Sequence, residues 1–136
     1  MECKLLEKND VKLMKNFVDD ENTEFNEEFL INFLNEKNSY AFIMKEENEI
    51  VGFAYGYSLL RPDGKKDFYL HAIDIITNKQ GKGYGTNLMK YIRDYIFKIG
   101  CRKMFLITNK SNISACKCYE KAGGVNKADD EIVYVY

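Results

Sequence analysis

The sequence predicts an α/β chain of the mixed α+β kind, a central mixed sheet flanked by helices. Three observations predict it. Strand-length apolar runs alternate with stretches whose apolar residues recur at helical spacing. The run at residues 69–76, Tyr-Leu-His-Ala-Ile-Asp-Ile-Ile, is mostly apolar, as a strand in the middle of a sheet is. A glycine-rich turn then joins this run to an amphipathic stretch at 88–99, making a strand–turn–helix unit. With 136 residues the chain supports one core, and residues 1–136 are read as one domain.

The elements follow in order. Residues 3–6 read as a first strand. Asn9 or Asp10 can cap a helix that carries Val11, Met14, Phe17 and Val18 on one side. A second helix starts at Asn22 or Thr23 and buries Phe25, Phe29, Leu30, Phe33 and Leu34, with glutamates opposite. Residues 40–45 and 50–59 read as two strands joined by the hairpin connection Glu46-Glu47-Asn48-Glu49. Arg61-Pro62-Asp63-Gly64 is a turn by residue type, and 68–76 is the next strand. Beyond the glycine turn, Tyr84, Leu88, Ile92, Tyr95, Ile96 and Ile99 mark a helix that Gly100 ends. Residues 104–108 are a strand. Ser111 or Asn112 caps a last helix ending before Gly123-Gly124, and 132–136 give a final strand. No repeat or low-complexity segment interrupts this order.

Composition narrows the function classes. No apolar stretch approaches the ~20 residues that span a bilayer, and the charged first residues lack the apolar core of a secretion signal. The reading is a cytoplasmic protein with no membrane partner. Cys3, Cys101, Cys116 and Cys118 contain no C-x-x-C pair, and the sole histidine, His71, is distant in sequence, so no metal site is expected. The net charge is −1 but unevenly spread. Residues 19–36 carry Asp19, Asp20, Glu21, Glu24, Glu27, Glu28 and Glu36 and no basic residue. Residues 79–103 carry Lys79, Lys82, Lys90, Arg93, Lys98, Arg102 and Lys103 against Asp94 alone. One basic region in a nearly neutral chain argues against a nucleic-acid partner.

The most informative stretch is Gln80-Gly81-Lys82-Gly83-Tyr84-Gly85-Thr86. A glycine-rich turn that opens a helix leaves backbone N–H groups without chain partners, at the positive end of the helix dipole. Alternate glycines let an anion reach them, so the loop implies a phosphorylated ligand. The Walker spacing is absent, and Thr86 stands where the dinucleotide fingerprint needs its third glycine. The pattern that fits is Gln/Arg-x-x-Gly-x-Gly/Ala, at Gln80, Gly83 and Gly85. A glycine-rich connection without a ligand is the plain alternative.

This loop resembles the pyrophosphate loop of the GNAT N-acetyltransferases, which bind acetyl-coenzyme A. The resemblance extends over residues 73–89, over Asn112-x-x-Ala115-x-x-x-Tyr119-x-Lys121-x-Gly123, and over the spacing between them, about one helix plus one strand. It implies the GNAT acyltransferase fold over nearly the whole chain. The first half is most similar to the aminoglycoside 3-N-acetyltransferases, in Glu27-Glu-Phe-Leu-Ile-Asn-Phe-Leu, Tyr40-Ala-Phe, Glu49-Ile-Val-Gly-Phe-Ala-Tyr-Gly-Tyr57 and Lys66-Asp-Phe-Tyr-Leu70. The loop is closer to the histone-acetylating branch.

The resemblance assigns sites. It implies that Gln80, Gly81, Lys82, Gly83, Tyr84, Gly85 and Thr86 hold the pyrophosphate. Ile73, Asp74 and Ile75 run beside the pantetheine arm, and Asn112 and Ala115 line the route to the thiol. Tyr119 matches the tyrosine that hydrogen-bonds the coenzyme sulfur, and a phenol is a reasonable proton donor to a departing thiolate because their unperturbed pKa values lie within about two units. The family's acidic base is missing: its two known positions read Ala72 and Tyr69 here. Asp74 is the first choice of base, with His71, Asp67 or a water chain open. Alternation puts 72 and 74 on one strand face and 69, 71 and 73 on the other, unless a bulge intervenes. The expected reaction is acetylation of a small cationic amine, aminoglycoside-like or polyamine-like, drawn in by the acidic residues at 19–36 and by Asp129-Asp130-Glu131. A protein or peptide acceptor, a non-catalytic coenzyme A-binding module and a homodimer remain open.

Overall fold

The computed structural model describes residues 1–17 and 25–136. Five strands form one sheet: β1 (Glu2–Leu5), β2 (Ser39–Glu46), β3 (Glu49–Leu60), β4 (Lys66–Ile75) and β5 (Lys103–Phe105), in the order β1-β2-β3-β4-β5. Pairing is antiparallel through β4, while β4 and β5 are parallel. Parallel neighbours need a crossover, and α2 (Tyr84–Lys98) supplies it. The β2–β3 hairpin turns through Glu47, which takes the left-handed φ of 58°. Among the described residues no helix is long and apolar enough to cross a membrane.

Each sheet face has its own core. On one, Phe42, Met44, Ala54, Phe68 and Leu70 meet Leu88, Met89, Ile92 and Ile96 of α2. α3 (Ile113–Lys121) packs on α2 at that side. On the other, Ala41, Ile43 and Phe53 meet Leu6, Val11, Met14, Phe17 and Leu30.

The first helix differs from expectation in kind. Residues Lys8–Asn16 form a 3₁₀ helix that starts after Glu7, and neither Asn9 nor Asp10 caps it. Asp10 instead accepts the Glu7 N–H from inside the first turn, at 3.3 Å. The reason lies in spacing: Val11, Met14 and Phe17 recur every three residues, the period of a 3₁₀ helix, and all three are buried. Val18, also expected on that side, lies outside the described residues. Asp10 is buried against Lys4 and Lys45, at 3.0 and 3.2 Å.

In α1 (Glu27–Asn35), Asn26 is the cap and accepts the N–H groups of Glu28 and Phe29. The expected starts, Asn22 and Thr23, lie outside the described residues. Leu30, Phe33 and Leu34 face the sheet, but Phe29 is 71% exposed because the cap sets a helical phase that turns position 29 away.

At the other end, β5 is shorter than the expected 104–108, and residues 132–136 form no strand. Their β-rich side chains are exposed, Val135 at 90%. Strand propensity expresses fit to a half-buried pleated surface, and with β5 only three residues long no neighbouring ladder reaches this segment.

Candidate active site

The site is shaped by an irregularity in β4. Tyr55 pairs with Ala72 and Gly56 with Leu70, so His71 is an extra residue in a bulge. Phe68 and Leu70 face α2 before the bulge, and Ile73 and Ile75 do so after it. Simple alternation is therefore corrected: Tyr69, His71, Ala72 and Asp74 share the face away from α2, with Asp74 opposite Phe53. Gly56 makes room. A Cβ there would run into the Tyr69 carbonyl oxygen, and a glycine inside a strand is the sequence signal of a bulge.

Next, β4 parts from β5. Their last pair is Tyr69 with Phe105. Among the described residues no strand lies beside the outer edge of β4 from Leu70 to Ile75, so its outward backbone groups, except the Ile75 carbonyl that Gln80 holds, are open to an extended ligand.

That open edge leads to the glycine loop. Gly83 opens α2 at φ 86°, with no side-chain cap, and Gly81 has φ 73°. The first helical bond runs from the Asn87 N–H to the Gly83 carbonyl at 3.0 Å, which leaves the N–H groups of 84–86 before the helix ladder. A Cβ on Gly81 or Gly83 would meet nothing within 4 Å. The mouth of the loop is thus open, lined by backbone and at the positive helix end, as an anion cradle requires. These residues fit a pyrophosphate.

Other loop residues hold its shape. The Gln80 side-chain amide donates to the Ile75 carbonyl at 2.8 Å, tying the loop back to its strand. The Tyr84 hydroxyl donates to Glu46 at 2.8 Å, and Lys79 pairs with the same carboxylate at 3.4 Å. The Tyr84 bond holds the Glu46 carboxyl below its usual range and the Tyr84 phenol above its own. Thr86 and Gly85 lie against Cys118 of α3, whose thiol burial pushes up in pKa. Lys82 is exposed between the two left-handed glycines.

α3 supplies the remaining group. Asn112 caps it, accepting the Ala115 N–H at 3.4 Å. Arg93 of α2 donates to the Ala122 carbonyl at 2.8 Å, so a cation closes the C-terminal end. Between these fixed ends sits Tyr119, half-buried. Its phenol is pushed up to about 12, first by burial, then by the nearby Cys118 thiol and the Asp74 carboxylate. Asp74 and Tyr119 therefore lie within electrostatic reach across the parted strands. Asp67 is committed elsewhere, accepting from Arg102 at 2.8 Å.

The acidic surface expected to attract a cation is partly occupied. Residues 19–24 lie outside the described residues. Glu27 faces Lys15 at 3.8 Å. Glu131 turns back to accept the Asp129 N–H, which holds its carboxyl low. What the sequence reading missed is aromatic. Tyr55, Tyr57 and Tyr69 surround His71 on the face where Asp74 lies, and Phe105 stacks on Tyr69. The alternation Tyr55-x-Tyr57 and Tyr69-x-His71 was its only signal.

The model of the acetyltransferase (GNAT) family matches residues 10–124. No curated protein sequence matches the chain. Among solved structures, an aminoglycoside acetyltransferase from an uncultured soil metagenomic sample, in complex with sisomicin, is similar at TM-score 0.78 and 23% identity, over 99% of this chain and 93% of that one. A second soil metagenomic aminoglycoside acetyltransferase gives 0.79 and 17%, over 99% and 98%. A ribosomal-protein-alanine N-acetyltransferase from Brucella melitensis biovar Abortus 2308 gives 0.72 and 16%, over 99% and 100%. At these identities the likeness is one of fold.

Proposed function

Because the chain belongs to the acetyltransferase (GNAT) family and is an acetyl-CoA-dependent N-acetyltransferase, we propose that it acetylates a primary amine of a small cationic acceptor, aminoglycoside-like or polyamine-like. The single observation that carries this reading is the open edge of β4 from Leu70 to Ile75. It adjoins an anion cradle at one helix N-terminus and carries Asp74, whose charge reaches Tyr119.

Acetyl-coenzyme A supplies an acetyl group activated as a thioester. The N–H groups of 84–86, with Gly81, Gly83 and Lys82, hold the pyrophosphate. Gln80 and Tyr84 keep that loop in shape. The edge groups of Ile73 and the N–H of Ile75 pair with the pantetheine amides, the Ile75 carbonyl being held by Gln80. Asn112 and Ala115 flank the route to the thiol.

Asp74 takes the proton from the acceptor ammonium, which frees the lone pair for attack. It is preferred over Asp67, which is bound to Arg102, and over His71, because its charge reaches Tyr119. Tyr119 keeps its proton. A phenol at about 12 lies roughly 3.5 units above an ordinary thiol, so handing that proton over costs about 5 kcal/mol. The hydroxyl acts as a hydrogen-bond donor to the departing sulfur and lowers the energy of its developing charge; as the tetrahedral adduct collapses the carbon–sulfur bond breaks, coenzyme A leaves as the thiolate, and the second nitrogen proton passes to solvent.

The acceptor class draws support from the fold likeness to two aminoglycoside acetyltransferases. It is tested by measuring coenzyme A release from acetyl-coenzyme A across a panel of amino sugars, linear polyamines and peptides. Amino sugars or polyamines are expected as substrates; turnover confined to peptides would refute the acceptor class.

A further inference from the structure

The face of β4 that carries Asp74 holds a continuous row of rings. Tyr69 stacks on Phe105 with centroids 5.1 Å apart at 24°. His71 lies 5.4 Å from Tyr69 and 5.2 Å from Tyr55, tilted by 36° and 34°. Tyr57 flanks His71 at 6.2 Å, and Phe33 of α1 closes the side at 5.7 Å from Tyr55. This row is not a closed core. His71 and Phe105 are exposed, and the tyrosines are half-buried. It begins at the last β4–β5 pair, where the strands part, and ends at Asp74.

We infer that this row is the acceptor shelf, and that it selects an amine carried on a ring over a linear polyamine. The inference rests on the acetyl-transfer reading above and names what that site recognises. Exposed aromatic faces bind the apolar C–H face of a saturated ring, and they attract ammonium through the ring quadrupole. A linear polyamine has no such face and is best held by carboxylates spaced along its length. The shelf carries the Asp74 carboxylate at one end; at the other lie Asp67, Arg102 and Lys103, where two cations outnumber one carboxylate. Charge on the shelf is therefore polarised. A ring lies along Tyr69 and Phe105 and directs its ammonium past His71 toward Asp74, away from Lys103 and Arg102 at the Asp67 end. His71 is a positioning residue here: the bulge sets its ring between Tyr69 and Tyr55.

The test compares wild type with Tyr69→Phe and Tyr69→Leu, using an amino sugar and spermidine as acceptors. The amino-sugar KM is expected to rise about 5- to 30-fold in Tyr69→Leu, the loss of one cation–π and stacking face, and to stay near wild type in Tyr69→Phe. Spermidine KM should rise several-fold less than the amino-sugar KM, since it loses only the cation–π share, and coenzyme A affinity by calorimetry should be unchanged. Equal KM changes for both acceptors, or none, would overturn the shelf. If wild type turns over neither amine, the proposed acceptor class fails, and calorimetric titration of the amino sugar into the coenzyme A complex still tests the shelf: Tyr69-dependent binding supports it and absence of binding overturns it. A wild-type dimer in sedimentation that Tyr69→Leu dissociates would assign the rings to a second copy and refute the inference.

Discussion

Replacing Gly83 by Asp and, separately, by Asn isolates the charge of whatever binds the loop. Gly83 opens α2 at φ 86°, and a Cβ there meets nothing within 4 Å. Both side chains therefore fit, and both tolerate left-handed backbone better than other residues do. They are nearly isosteric, so strain and bulk cancel in the comparison. A carboxylate about 5 Å from a phosphate, at an effective dielectric between 20 and 80, costs roughly 1–3 kcal/mol per unit charge. Coenzyme A affinity should then be about 5- to 150-fold weaker for Asp than for Asn. The free proteins should order the other way. A negative charge at a helix N-terminus is worth about 0.3–1 kcal/mol, so the Asp variant should melt at or above the Asn variant. Calorimetry gives the affinities, and repeating it at high salt should narrow the gap, since the Debye length shrinks to ~3 Å at 1 M. Equal affinities for the two variants would refute the anion cradle.

Other consequences are specific. Tyr119→Phe should lower kcat about 10²- to 10³-fold, as removal of one transition-state hydrogen-bond donor does, with coenzyme A affinity nearly unaltered; with its phenol at about 12, the wild-type rate should show no tyrosine limb below about pH 11, and unchanged kcat in the variant would make Tyr119 mere packing. Asp10→Asn should destabilise the fold by about 2–3 kcal/mol, below the 3–5 of a fully buried pair because its lysines are partly solvated. Burial raises the Asp10 carboxyl, but hydrogen bonds from Lys4 and Lys45 outweigh it and leave the pKa below 3.8. A carboxyl lowered in the folded state stabilises above its unfolded pKa and loses that contribution as pH falls through the folded one. The variant should therefore differ from wild type in urea melts at pH 7, and the gap should begin to close only as pH falls below about 4; a gap independent of pH would count against the ion pair. Gly56→Ala should cost about 1–3 kcal/mol through the clash with the Tyr69 carbonyl. It should raise acceptor KM by shifting the His71 bulge and leave coenzyme A affinity alone; intact acceptor kinetics would detach the bulge from recognition.

Local chemistry was legible in the sequence wherever one element carried it. The glycine loop, the phase of α2, the Asn112 cap and the Glu46–Glu49 turn each follow from a few neighbouring residues, and each stands where expected. The 3₁₀ helix at Lys8–Asn16 was visible in principle, in the three-residue spacing of Val11, Met14 and Phe17. The face of Asp74 was not, because one extra residue reverses parity, and only Gly56 hinted at it. Phe29 and the 132–136 segment show the other limit: apolar residues at the right period are buried only where a partner surface exists. The Arg102 partner of Asp67 and the charge of Asp74 near Tyr119 join residues distant in sequence, and no spacing rule reaches that far.

The central claim is that the open edge of β4 delivers an acetyl thioester to an amine between Asp74 and Tyr119. The most direct test incubates the protein with acetyl-coenzyme A labelled in the acetyl carbonyl and an amino-sugar acceptor, then follows both products by mass spectrometry. The account predicts labelled N-acetyl amine and free coenzyme A in equal amounts, at a rate that collapses in Asp74→Asn while coenzyme A still binds. Coenzyme A bound tightly with no acetylated amine in wild type, or undiminished product in Asp74→Asn, would contradict it.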